Sequence, residues 1–176
     1  MPPLVKVWDP LVRAAHWSLV AGIAAAWFTR EALHEWLGYA VLGVVALRIA
    51  WGGLGPHYAR FGQFLRPPAA TLAYAKAVAA RAEPRYLGHN PLGGWMVVAL
   101  LAAVALTGVS GWLSTTDRYW GVAWLQETHE FLADALVALA CLHVAGVIYT
   151  SLRHRENLPA AMITGSKRPA GPGDVL

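Results

Sequence analysis

The chain has 176 residues, of which 57% are hydrophobic and only 14% charged, and its formal net charge is +4. Soluble domains carry about a quarter charged residues, so this composition argues against an ordinary soluble domain. The single cysteine, Cys141, excludes an intrachain disulfide, a cysteine-ligated iron–sulfur cluster, a zinc ribbon and a covalently attached c-type haem. The basic residues lie between apolar runs rather than along one face, which disfavours nucleic acid as a partner.

Four apolar runs are each long enough to cross the hydrocarbon core of a bilayer, which needs about 20 helical residues. In chain order, the predicted spans are 11–28, 33–53, 91–113 and 125–152. The first run contains His16 and Trp17 and is followed almost at once by the second, so a helical hairpin is favoured over a signal peptide. Asn90 and Pro91 are start signals for the third helix. The predicted fold class is all-α, an integral membrane four-helix bundle with up-down-up-down order.

The lysine and arginine residues predict the orientation of this bundle. Eleven of them lie in the N-terminal segment, the loop after the second span and the tail. Only Arg30 and Arg118 belong to the opposite side, and Arg48 lies within a span. The positive-inside rule then predicts that both termini are cytoplasmic.

Two segments lie outside the predicted spans. The loop 56–89 is too long for a simple connection, and Pro67-Pro68 are expected to open an interfacial helix that includes Tyr74 and Lys76. The tail 158–176 is rich in proline and glycine and is expected to be largely irregular. We therefore predict a transmembrane domain at 1–157 and a cytoplasmic tail at 158–176.

Four of the seven histidines lie in or at the ends of spans, where ionisable residues are costly and usually functional. They are His16, His34, His129 and His143. His129 and His143 are 14 residues apart on one helix, so they share a face but lie about 21 Å apart along the axis. They are too far apart to bind one metal ion together. For any single histidine, a neutral ring hydrogen-bonded between helices is the alternative.

The predicted topology pairs the four histidines by depth. His34 and His129 fall near the periplasmic surface, whereas His16 and His143 fall near the cytoplasmic surface. Each pair offers two imidazoles, which are the axial ligands of a b-type haem. The sequence therefore predicts two bis-histidine haem sites, one near each surface.

Other polar residues near these sites have two interpretations each. Arg48 follows His34 by 14 residues and would lie at the depth of the cytoplasmic haem, where it would bind a propionate or quinone. It would otherwise extend to the headgroups. His89 would contact a propionate or quinone, or belong only to the capping segment before the third helix. His57 and His154 are expected to be solvated.

Several short motifs resemble the prokaryotic cytochrome b561 family, which includes the b-type subunits of nickel–iron hydrogenases. The motifs run in order through the four helices and into the tail. They are Val7-Trp8-Asp9-Pro10 with Arg13-Ala14-Ala15-His16-Trp17, His34-Glu35-x-x-Gly38, Leu47-Arg48-Ile49-x-Trp51, Gly88-His89-Asn90-Pro91-Leu92-Gly93-Gly94, Thr128-His129-Glu130 with His143, and Ala161-Met162-Ile163-Thr164-Gly165. The resemblance implies a di-haem b protein of the bacterial inner membrane that exchanges electrons between a partner and the quinone pool. It also puts the four histidines at the positions of the family's ligands.

Acidic residues predominate at the predicted periplasmic rim. They are Glu31, Glu35, Asp117, Glu127 and Glu130. Such a rim would attract a basic redox protein such as a c-type cytochrome. The alternative interpretation is an ordinary solvated face. The expected function is therefore electron transfer between a periplasmic redox partner, such as a c-type cytochrome or a hydrogenase-like subunit, and quinone, with membrane lipid around the helices. The alternatives are a superoxide:quinone oxidoreductase of the b561 type and, less favoured, a histidine-lined metal transporter.

Overall fold

A computed structural model describes residues 3–176, and these residues are mostly helical. The elements are, in order, β1 (Val5–Lys6), α1 (Pro10–Phe28), α2 (Glu31–Leu54), a 3-10 turn (His57–Ala59), α3 (Phe61–Phe64), α4 (Pro68–Ala79), α5 (Pro91–Ser114), α6 (Ala123–His154), α7 (Leu158–Thr164) and β2 (Ser166–Lys167). Helices α1, α2, α5 and α6 are long and apolar enough to cross a membrane. The predicted number of four such helices is confirmed. Their up-down order and the cytoplasmic termini remain predictions.

Side-chain caps determine where two of these helices begin. Asp9 accepts hydrogen bonds from the backbone N–H groups of Leu11 and Val12 at 3.0 and 3.2 Å, so α1 begins at Pro10 rather than at Leu11. Asn90 accepts one from Gly93 at 2.7 Å, and α5 begins at Pro91. Each cap uses a backbone donor that the first helical turn leaves without an intrahelical partner.

The chain divides into two compact units, which are described separately. The unit formed by residues 14–50 and 99–142 consists mainly of segments of the four long helices. Small residues allow these segments to pack closely. A Cβ atom on Gly22 would lie 2.7 Å from the Val41 side chain, and one on Gly108 would lie 2.6 Å from Leu42. Such small-residue contacts are typical of helices that associate within a membrane.

The other unit comprises residues 1–13, 51–98 and 143–176, of which residues 1 and 2 lie outside the described part. In it, β1 and β2 form a two-stranded antiparallel sheet in which Val5 pairs with Lys167. Gly165 precedes β2 with a φ of +82°, and its carbonyl accepts hydrogen bonds from Val7 and Trp8 at 2.9 and 3.1 Å. This left-handed conformation favours glycine because it has no Cβ atom. The sheet is a small departure from the predicted all-α class.

The prediction of a largely irregular tail is wrong, because residues 158–176 include α7 and β2 and carry buried charges. Arg85 binds Glu156 and Asp174 at 2.5 Å each, and Lys167 binds Glu156 at 3.2 Å. Lys167 also donates to the Leu87 carbonyl at 2.9 Å. We call these four charged residues the tail cluster. Because its members are far apart in the chain, local composition does not reveal it.

The tail cluster changes the protonation equilibria of its carboxylates. Burial alone would raise the pKa of Glu156, but hydrogen bonding to Arg85 and the charge of Lys167 hold the pKa below its usual value. The pKa of Asp174 is also lowered, because a backbone hydrogen bond from Gly171 and the Arg85 guanidinium outweigh its burial. Both carboxylates therefore remain ionised in the folded protein at neutral pH.

Candidate functional site

His34 on α2 and His129 on α6 lie close together within the unit of residues 14–50 and 99–142. Their ring centroids are 6.0 Å apart, and the ring planes are nearly perpendicular, at 83°. The two imidazoles are half-buried. The depth argument predicted this juxtaposition.

The end of α1 orients the imidazole of His34. Its Nδ1 lies 2.8 Å from the carbonyl oxygen of Ala26. Ala26 is in the last turn of α1, and its carbonyl also accepts the Thr29 N–H at 3.3 Å just beyond the end of the helix. A carbonyl can only accept, so this contact places a proton on Nδ1 and leaves Nε2 of the neutral ring as an electron-pair donor.

Helix α5 orients the imidazole of His129 in the same way. Its Nδ1 lies 2.9 Å from the Thr107 carbonyl and 3.1 Å from the hydroxyl of Ser110. The Ser110 hydroxyl itself donates to the Thr107 carbonyl at 2.9 Å, so its oxygen can accept from the Nδ1–H group. Gly111 makes this approach possible, because a Cβ atom there would lie 2.9 Å from Cε1 of His129.

The pair fits the axial ligation of a haem iron. A metal–imidazole nitrogen bond is about 2 Å long, so the ring centroids of two imidazoles bound to one iron are about 6 Å apart. The observed separation of 6.0 Å agrees with this value. A hydrogen bond from the other ring nitrogen to a backbone carbonyl is the usual arrangement around a metal-binding histidine.

The residues around His34 and His129 offer few further metal ligands, which is compatible with a haem. Within residues 3–176, no group of three or more histidine, cysteine or acidic side chains is placed to hold a metal ion. A haem requires only the two axial ligands, because its porphyrin supplies the other four nitrogens. Gly38 lies one turn after His34, and a Cβ atom added there would meet no atom within 4 Å. The α2 surface beside His34 can therefore accept a close neighbour.

The other predicted ligands are placed as follows. His16 is a half-buried residue of α1, and its ring lies edge-on to Trp17 with the centroids 5.0 Å apart. His143 is half-buried on α6, and Arg48 is a buried residue of α2. His16 and His143 belong to different units, and their pairing stays a prediction. The role of Arg48 also stays a prediction.

His89 lies among aromatic residues. Its ring centroid is 4.7 Å from that of Trp8 and 4.6 Å from that of Phe64. The ring is half-buried just before α5. Of the two histidines expected to be solvated, His57 is exposed and His154 is half-buried.

Sequence reasoning missed the groups that orient the two imidazoles. Thr107 and Ser110 are polar residues one turn apart in an apolar span. Their spacing could have indicated that this face of α5 contacts a polar side chain. Ala26 gave no signal, because it acts through its backbone carbonyl and every residue has one. Gly111 gave no specific signal, because glycines are common at ordinary helix contacts in membranes.

One of three comparisons with known proteins found a match. The family model described as prokaryotic cytochrome b561 matches residues 7–165. This range includes all four predicted histidine ligands. No curated protein and no solved structure matches the chain. The chain therefore belongs to the prokaryotic cytochrome b561 family, membrane proteins that transfer electrons through b-type haem.

Proposed function

We propose that this protein carries electrons across the bacterial inner membrane through two b-type haems, between a periplasmic redox protein and the quinone pool. The observation that carries the proposal is the pair His34 and His129, with the ring centroids 6.0 Å apart and each Nδ1 bonded to a backbone carbonyl. Bound haem would supply reversible one-electron chemistry.

The residues around this pair have separate roles in the proposal. His34 and His129 would each present Nε2 to the iron. The carbonyls of Ala26 and Thr107 fix the ring orientations and make the imidazoles more basic, which favours the oxidised metal. Ser110 adds a second acceptor beside the Nδ1 of His129. The protein thereby sets both the binding geometry and the reduction potential.

His16 and His143 are proposed as the ligands of a second haem near the cytoplasmic surface. The support is their placement along α1 and α6 together with the predicted topology. Arg48, a buried residue of α2, is proposed to bind a haem propionate or a quinone headgroup at that depth, because a guanidinium matches such oxygen acceptors in geometry and charge. The quinone is proposed to exchange electrons with this second haem.

The periplasmic partner is proposed to be a basic redox protein such as a c-type cytochrome. Glu31, Asp117, Glu127 and Glu130 are exposed in the same unit as His34 and His129. The two arginines at this rim do not neutralise them through ion pairs. The Arg30 guanidinium donates to the carbonyls of Trp27 and Thr29, and Arg118 lies 5.3 Å from the Tyr119 ring centroid. An acidic surface attracts a basic partner and accelerates encounter.

The first experiment is a dithionite-minus-oxidised spectrum with pyridine haemochrome quantitation on the detergent-purified protein. Two protohaems per chain with a low-spin b-type spectrum are expected. One haem per chain would show that one of the two histidine pairs is wrong. Absence of haem after expression with adequate haem supply would overturn the proposal.

A second experiment distinguishes the electron donors. Reduction by a reduced lysine-rich c-type cytochrome should be fast and should slow as ionic strength rises, because salt screens the attraction. Glu127→Gln and Glu130→Gln, made separately, should each reduce that rate. Glu31→Gln, which removes the same single charge elsewhere on the rim, tests whether the docking site is local. Reduction by superoxide but not by the cytochrome would favour the alternative, superoxide:quinone oxidoreductase, and overturn the proposed partner.

A further inference from the structure

We propose that a pocket beyond the end of α6 binds the phosphate of an anionic phospholipid headgroup. The pocket lies in the unit that contains the tail, and its volume is about 310 Å³. Its lining includes Leu4, Arg155, Asn157, Thr164, Ser166 and Arg168. This site is separate from the histidines to which haem binding is assigned.

The pocket is lined by two guanidinium groups that form no ion pair within residues 3–176. The Arg155 guanidinium is exposed and has no hydrogen bond or ion pair with any residue in 3–176. Arg168 is also exposed, and its guanidinium makes only a 3.3 Å hydrogen bond to the His154 carbonyl. Guanidinium groups match phosphate oxygens in geometry and charge. Two of them at one pocket are therefore suited to a phosphodiester.

The acid in the pocket wall does not cancel this charge. Glu156 is held by Arg85 at 2.5 Å and by Lys167 at 3.2 Å, within the tail cluster. Both cations are almost fully buried, with 3% of each side chain exposed. The carboxylate is thus already neutralised from inside the protein, and neither of the two exposed arginines forms an ion pair with it.

The backbone around Arg155 is preorganised. Arg155 has a φ of +50°, an uncommon left-handed conformation for a residue with a Cβ atom. It is held there because Glu156 N–H donates to the Ser151 carbonyl at 3.0 Å as the chain leaves α6. A fixed turn reduces the entropy that a ligand must overcome when it orders a binding site.

The position of the pocket favours a lipid over soluble phosphate. Arg155 follows directly after α6, one of the four helices apolar enough to cross a membrane. Large apolar side chains are exposed on the last turns of α6 and beside the pocket, and they are Ile148, Leu152, Ile163 and Leu4. Acyl chains can pack on these side chains while the phosphate meets the arginines. Basic sites at the ends of transmembrane helices are suited to anionic lipid headgroups.

The test is native mass spectrometry of the full-length protein in detergent, titrated with phosphatidylglycerol and, separately, phosphatidylcholine. The proposal predicts preferential retention of phosphatidylglycerol. The double variant Arg155→Gln/Arg168→Gln should weaken that binding by about tenfold or more, the loss expected for charge-assisted hydrogen bonds. Circular dichroism should show unchanged helicity, because both side chains are exposed.

Arg81→Gln is the matched control. Arg81 is exposed, follows a helix and has a φ of +55°, but it does not line the pocket. If Arg81→Gln and the single variant Arg155→Gln lost phosphatidylglycerol binding equally, the lipid would be held by diffuse electrostatic attraction, and the proposal would be overturned. Equal binding of the two lipids would also overturn it. Inorganic phosphate is the third probe, and its binding without any preference for phosphatidylglycerol would overturn the lipid assignment.

Discussion

Gly111 lies against the imidazole of His129, so closely that an added Cβ atom would lie 2.9 Å from Cε1. Backbone atoms of α5 thus reach the histidine through the gap that this glycine leaves. Thr107, one turn earlier, uses that gap to accept the Nδ1–H hydrogen bond at 2.9 Å. The haem-binding role proposed for His129 therefore depends on a residue that has no side chain.

Gly111→Ala should displace the His129 ring and disrupt one of the two proposed haem sites. The expected haemochrome result is a fall from about two haems per chain to about one, because only one axial pair is affected. Gly43→Ala is the control, since a Cβ atom there would meet nothing within 4 Å. Full haem content and an unchanged spectrum in Gly111→Ala would contradict the role given to this glycine.

Ser110→Ala should leave haem bound but change its potential. The variant keeps the Thr107 carbonyl and loses the second acceptor beside Nδ1 of His129. A less basic imidazole stabilises the oxidised iron less well, so the midpoint potential should rise, by about 20–60 mV for a hydrogen bond of about 1 kcal/mol. A redox titration measures this shift. Ser114→Ala, which loses only a hydrogen bond to a backbone carbonyl, should show none.

The pairing of the histidines can be tested by comparing single and double alanine variants. His34→Ala and His129→Ala should each lose one haem, and the double variant should lose no more than either single variant. His16→Ala and His143→Ala should behave in the same way as the second pair. A double variant such as His34→Ala/His143→Ala should retain no haem. Retention of one haem in that combination would show that the pairs are assigned wrongly.

The tail cluster should make the tail sensitive to acid. The pKa values of Glu156 and Asp174 are lowered in the folded protein, so their stabilisation is complete above the ordinary carboxyl range of about pH 4. It should be lost as pH falls through the lowered values. Hydrogen exchange at the Val175 amide, which bonds the Arg85 carbonyl at 2.8 Å, reports this loss.

Glu156→Gln should destabilise the tail already at neutral pH. Removing one member of a buried ion cluster costs about 3 kcal/mol, which would accelerate amide exchange in the tail by about 100-fold. The variant should also lose part of the acid sensitivity, because one titrating group is gone. Glu127→Gln, at an exposed position, is the control and should leave exchange unchanged. If the tail amides of Glu156→Gln exchanged as slowly as those of the unchanged protein, the tail cluster would not be what stabilises the tail.

The sequence predicted the features of this protein that depend on local hydropathy and on helix periodicity. The four spans follow from long apolar runs, and the juxtaposition of His34 and His129 followed from assigning depths to those spans. The start of α1 differed from prediction because Asp9 caps it, which extends the helix by one residue. The contact between His34 and the Ala26 carbonyl could not be predicted, because every residue has a backbone carbonyl and the sequence does not distinguish one from another.

The tail was predicted poorly because its order depends on partners far along the chain. Arg85 is separated from Asp174 by 89 residues and from Glu156 by 71. Such pairs have no periodic signature, and the proline and glycine residues of the tail favoured irregular structure. The charged residues of the tail cluster can be read from the sequence, but their ion pairs cannot.

Because β1 pairs with β2, the start of the chain cannot complete its structure until the tail has been synthesised. The neighbouring hydrogen bond from Arg13 to the Ile163 carbonyl already joins residues 150 positions apart. A ribosome releases the start of the chain long before it releases Ser166 and Lys167, so β1 lacks its partner strand until nearly the whole chain has been made. The first segment to be translated therefore reaches its final conformation among the last.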